Sequence, residues 1–195
     1  MFLEDISAKI ENKPNPALTG SRSVEQFLST HQVKLNSLKS LVGNPPSPGV
    51  AYFIWTDKSF NAFTFIPYFI KEYGYIKELV ISTYSINQRI LDSFSRYINM
   101  GKIQSIILLL SETMKFRNPK VADQLAIYAN THKDIIRFHF GWNHSKITLL
   151  NCGDQFFTAE GSGNWSENSR HEQYVMINSQ KVFEFRKNCI IHATE

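Results

Sequence analysis

The chain has 195 residues, 43% of them hydrophobic and 19% charged, with a formal net charge of +4 and a sequence pI of about 9.0. That composition excludes a disordered chain and fits one domain with a substantial core. The two cysteines, Cys152 and Cys189, exclude a disulfide scaffold and fit free thiols in a reducing compartment.

Residues 1 to about 22 are polar, contain Pro14 and Pro16, and read as a loose arm. No apolar run there is long enough for a signal peptide, and the most apolar stretch, Ile106 to Leu110, is too short to span a bilayer. A cytoplasmic protein without a membrane partner is the expectation. Ser23 reads as a helix N-cap with Gln26 as its capping-box partner, opening a helix to about Leu41. "GNPPSPG", Gly43 to Gly49, stops that helix and makes a stiff linker. Residues 1–49 are therefore set apart as an arm, helix and linker, and 50–195 as the main domain.

The main domain alternates strand and helix signals. Val50 to Thr56 is a strand, and "NAFTFIPYFIKEYG" is a helix interrupted near Pro67. Ile76 to Tyr84 is a strand, and "NQRILDSFSRYINMG" is a helix stopped by Gly101. "KIQSIILLLS" is an apolar strand covered on both faces. "SETMKFRNPK" is a polar loop, followed by a helix with Pro119 in its first turn and the strand "DIIRFHF". Then come three closely spaced strands, "HSKITLLN", "QFFTAEGS" and "EQYVMINS", and a helix from about Gln180 to Ile191. This succession predicts an α/β domain: a mixed, mostly parallel sheet with helices on both faces.

The residues that carry chemistry gather late. His144 and Lys146 are two apart, which places them on one side of an extended chain. Ser162, Asn164 and Glu172 follow. Each taken singly is an ordinary strand, turn or surface residue. As a set they suit a phosphodiester. A histidine can attack phosphorus, a lysine and an amide can neutralise the oxygens, and a carboxylate can orient the imidazole.

The pattern "HSK … GSGN … HEQ" resembles the His-x-Lys signature of the phospholipase D superfamily. His144 and Lys146 match its first pair, and Gly161, Ser162 and Asn164 match its Gly-Ser-x-Asn element. Glu172, followed by Gln173, matches its trailing acidic position. The family aspartate falls on Asn151 when counted forward from His144 and on Asp154 when counted back from Gly161, because the intervening segment is three residues longer. Asn151 is taken as the strand-equivalent residue, with the extra length in a hairpin turn "NCGD".

The resemblance implies the phospholipase D-like fold and a metal- and cofactor-free mechanism through a phospho-histidine. That mechanism uses two histidines, and this chain has one His-x-Lys. A homodimer with both copies of His144 at its two-fold axis is the implied arrangement. The resemblance to single-copy, endonuclease-like members, together with the basic charge, implies nucleic acid, DNA before RNA, as the substrate. Lys115, Arg117 and Lys120 are candidate backbone contacts. Trp142 and Trp165 are candidate cleft walls, with plain core packing as the simpler alternative for both. Gly161 supports the site beside Asn151 and Asp154. Three other readings stand alongside: a lipid phosphodiesterase or phosphatidyl transferase, a non-catalytic nucleic-acid-binding relative, and a zinc site from His139, His144, Cys152 and His171.

Overall fold

The computed structural model describes residues 36–57, 60–166 and 171–193. The expected arm, and the helix start at Ser23, lie outside these residues. Residues 36–42 are helical (α1). Leu38 enters the main core, and Lys39 pairs with Glu72 at 2.7 Å.

The strands are β1 (Ala51–Asp57), β2 (Glu78–Thr83), β3 (Ile106–Ser111), β4 (Ile136–Gly141), β5 (Ile147–Asn151), β6 (Phe156–Gly161) and β7 (His171–Asn178). They form one sheet in the order β1-β7-β6-β5-β2-β3-β4. Only β2–β3 and β3–β4 pair parallel. The other four pairings are antiparallel. The sheet is therefore mixed and mostly antiparallel, not mostly parallel. The reason lies in the connections. Helical crossovers link β2, β3 and β4 and keep them parallel, whereas the four residues between β5 and β6 reach only an antiparallel neighbour.

The helices are α2 (Phe65–Tyr73), α3 (Gln88–Asn99), α4 (Thr113–Arg117), α5 (Pro119–Thr131) and α6 (Gln180–His192). A short 3-10 turn, Ala62–Thr64, leads into α2. Pro67 does not interrupt α2. It is the third residue after the Thr64 cap, where a backbone N–H has no helical partner to lose. Asn87 caps α3 by accepting from the Ile90 N–H at 3.2 Å. The "SETMKFRNPK" segment is not a loop throughout. It contains α4, a single turn whose one buried residue is Met114, too short to show an apolar period.

Helices cover both faces. The larger core joins α2, α3 and α5 to one face through Phe65, Phe69, Phe94 and Leu125. On the other face, Phe183 and Ile190 of α6 pack on Val80, Leu109 and Leu149. α6 packs mainly on β5 and β6, and on β1 Phe53 and Trp55 are 84% and 66% exposed.

Candidate active site at one end of the sheet

Strand directions bring the chemical residues to one end. Thr83, Ser111 and Gly141 end the three parallel strands at one end of the sheet, with Thr83 opposite Leu110 and Ser111 opposite Gly141. β5 starts at that same end, since Ile147 lies opposite Ser82. Gly161 ends β6 there, opposite Tyr174 near the start of β7. Ends of strands with a change of direction are where such sheets bind ligands.

His144 and Lys146 precede β5 rather than lying in it, in an extended lead-in after Gly141. Alternation still operates. Asn143 and Ser145 turn one way, His144 and Lys146 the other. Lys146 Nζ donates to the His144 carbonyl at 2.8 Å and lies 3.4 Å from His144 Nδ1. The Tyr84 ring meets His144 edge-on at 5.7 Å between centroids.

The lead-in is fixed by Asn143. Its Oδ1 accepts from Ser145 N at 3.0 Å, Ser145 Oγ at 2.7 Å and Ser82 Oγ at 3.1 Å. Its Nδ2 donates to the Thr83 carbonyl at 3.2 Å and the Leu109 carbonyl at 3.1 Å. The Ser82 and Ser145 hydroxyls also touch, so their two protons are shared among these three contacts. One amide thus ties the His-x-Lys segment to the ends of β2 and β3. Neither Asn143 nor Tyr84 carries a signal in the sequence, because their roles depend on neighbours distant along the chain.

The second half of the motif joins through β6. The Gly161 N–H donates to the Lys146 carbonyl at 3.2 Å. Ser162 Oγ donates to Glu172 Oε2 at 2.5 Å, the Gln173 N–H donates to Ser162 Oγ at 3.0 Å, and the Ser162 N–H donates to the Gln173 carbonyl at 3.0 Å. Glu172 is buried. Within the described residues its carboxylate holds the glycine-serine turn against β7. The glycines are sterically required. A Cβ on Gly161 would overlap the Gln173 carbonyl oxygen, and one on Gly163 would overlap the Tyr174 hydroxyl. Asn164 Oδ1 is buried with no hydrogen-bond partner among the described residues.

Other expected residues distribute as follows. Trp165 is a core residue, 1% exposed, between Phe63 and Phe94, with Nε1 donating to Thr148 Oγ1 at 3.1 Å. A role as a substrate wall is corrected to packing, because its ring has no open face. Trp142 is the opposite: 101% exposed, so core packing is the reading that fails there. Lys115, Arg117 and Lys120 are exposed. Lys115 lies 3.7 Å from Glu112 and over the Phe140 ring, and Arg117 lies over Tyr84.

Asn151 and Asp154 are not brought to the cluster. Asn151 ends β5, about 17 Å of strand from Lys146, where its Oδ1 accepts from the Gly153 N–H at 3.1 Å. Both residues belong to the far hairpin turn, which Gly153 enters with φ 85°.

The zinc grouping does not converge. Cys152 follows β5 at the end of the sheet away from His144, and His139 projects from the edge strand β4. Among the described residues no three histidine, cysteine or acidic side chains come together to hold a metal ion.

Two separate clefts flank the His-x-Lys segment. One of about 540 Å³ is lined by Tyr84, Phe116, Trp142 and His144. The other, about 710 Å³, contains Lys146, Gly161 and Gln173 with the exposed Phe53 and Trp55. No helix among the described residues is long and apolar enough to cross a membrane.

No family model matches the chain, and no curated protein does. Solved structures similar to it include the following two. TrmBL2, an archaeal chromatin protein whose structure shows a novel mode of DNA binding, is 16% identical over 87% of this chain and 62% of its own, with a TM-score of 0.48. Polyphosphate kinase from Porphyromonas gingivalis is 14% identical over 93% of this chain and 29% of its own, with a TM-score of 0.49. The chain spans less than two thirds of either protein, and at these TM-scores neither likeness bears on its activity.

Proposed function

We propose that this chain is a phosphodiesterase of the phospholipase D superfamily, acting on nucleic acid through a phospho-histidine intermediate on His144. The observation that carries the reading is the meeting, at one sheet end, of His144 and Lys146 with the Gly161–Ser162–Glu172 turn. The His-x-Lys and Gly-Ser-x-Asn elements are separate in sequence, and the Gly161 to Lys146 hydrogen bond joins them.

In this reading His144 Nε2 attacks phosphorus, and the P–N bond forms as the bond to the leaving oxygen breaks. An ammonium only donates, so its contact with His144 Nδ1 leaves the ring proton on Nε2 in the free chain. A bound phosphate draws Lys146 onto its oxygens and frees Nδ1 to carry that proton. Asn164 follows Gly163 in the same turn and is assigned as a second clamp through its Nδ2, the donor end of the amide.

The leaving oxygen takes a proton from a second histidine, His144 of a second copy of the chain. That imidazole then accepts a proton from water as the water attacks phosphorus, and the P–N bond breaks to restore the first histidine. The exposed Phe53 and Trp55 beside Lys146 are the apolar surface on which we place the second copy.

The test is hydrolysis of plasmid DNA and bis(4-nitrophenyl) phosphate with EDTA present. Wild type is expected to cleave both and His144→Ala neither, with a solution mass of two chains. Full activity in His144→Ala overturns the reading.

A further inference from the structure

We propose that the cleft beside His144 is a base-stacking subsite that selects unpaired nucleotides, with the Trp142 indole as its platform and Phe116 as the facing wall. This rests on the phosphodiesterase reading for the identity of the neighbouring site. Its own support is separate.

Trp142 is 101% exposed and Phe116 80% exposed, yet both line the 540 Å³ cleft that also holds His144. Holding two large rings in water forgoes the burial that aromatic side chains normally gain. The backbone carrying Trp142 is held firmly. Gly141 ends β4, and Asn143 is pinned by five hydrogen bonds. The backbone under the platform is therefore placed before anything binds, and only the indole's own torsions remain to be fixed on stacking.

Charge points to a nucleic-acid strand. α4 carries Lys115 and Arg117 on either side of Phe116, and Lys120 opens α5. Glu112 is the acidic residue of the cleft, and it lies 3.7 Å from Lys115. An aromatic ring flanked by cations is the pattern that binds single strands, with bases stacking and phosphates paired. A base inside a duplex has both faces covered and cannot use such a platform. The substrate class is thus single-stranded or frayed nucleic acid, with one base on Trp142 and its phosphate at His144.

The test measures binding, so that it does not depend on cleavage. The full-length His144→Ala chain is titrated into a dye-labelled oligothymidylate and into an abasic strand of equal length and charge, read by fluorescence anisotropy. The base-bearing strand is expected to bind at least about tenfold tighter than the abasic strand. Trp142→Ala in the same background should remove that preference, and Trp142→Phe should keep most of it. Equal binding of the two strands by the parent chain, or an undiminished preference in Trp142→Ala, overturns the proposal. A wild-type chain that prefers bases but hydrolyses neither DNA nor bis(4-nitrophenyl) phosphate overturns the phosphodiesterase reading and leaves this subsite standing.

Discussion

Removing the Asn143 side chain should loosen the active-site segment from the sheet. Asn143→Ala deletes five hydrogen bonds, but they do not count equally. The groups on Ser145 are exposed and regain water when their acceptor leaves. The carbonyls of Thr83 and Leu109 belong to residues 0% and 5% exposed, and their lost donor is not so easily replaced. Two such acceptors at about 1–1.5 kcal/mol each give a loss of about 2–3 kcal/mol. Urea denaturation should show this as a lower midpoint at unchanged slope. Asn143→Asp sharpens the test. It keeps an acceptor for Ser82 and Ser145 but sets a carboxylate against two carbonyl oxygens, so it should destabilise at least as much as alanine. Phosphodiesterase activity should fall in both variants, because His144 and Lys146 directly follow the anchor. A loss under about 0.5 kcal/mol in Asn143→Ala, or an Asn143→Asp chain as stable as wild type, would refute the anchoring argument.

Gly161→Ala forces a Cβ onto the Gln173 carbonyl oxygen. It should cost about 1–3 kcal/mol and displace Ser162, measured by denaturation together with aryl phosphodiester hydrolysis. Trp165→Ala should cost about 3–5 kcal/mol by the same assay, whereas Trp142→Ala should change stability by less than about 0.5 kcal/mol; similar losses would contradict the opposite burial of the two rings. Burial pushes the Cys152 thiol up to about 12, while Cys189 is exposed. At pH 8 an aromatic disulfide reagent should modify Cys189 quickly and Cys152 only after unfolding. The folded chain also retains the Cys152 proton above the ordinary thiol range, where the unfolded chain releases it. Stability should therefore fall as pH rises from about 9, where an ordinary thiol titrates, toward about 12.

Element order was legible because period and punctuation are local properties. The apolar run Ile106 to Leu110 and the apolar face of α3 each reveal themselves within a dozen residues. Strand direction was not. β1 finds its partner β7 more than a hundred residues away, and no local pattern encodes that pairing. Within the site, His144, Lys146, Ser162 and Glu172 stood out because their side chains carry uncommon chemistry at a known spacing. Asn143, Tyr84 and Ser82 did not, since an ordinary polar residue becomes an anchor only when distant strand ends meet. The two tryptophans show the same boundary. Both sit in polar stretches near the motif, and only the fold returns Trp165 to Phe63 and Phe94 while leaving Trp142 in water. The four residues between β5 and β6 turn at Gly153, at the opposite end of β5 from His144.

The central claim is that His144 becomes covalently bonded to phosphorus. Wild-type chain mixed with bis(4-nitrophenyl) phosphate in EDTA, quenched in alkaline denaturant and digested for mass spectrometry, tests it directly. The account predicts a nitrophenyl-phosphoryl adduct on the peptide containing His144, absent from His144→Ala. Steady hydrolysis with no adduct there, or with the adduct on another residue, would contradict it.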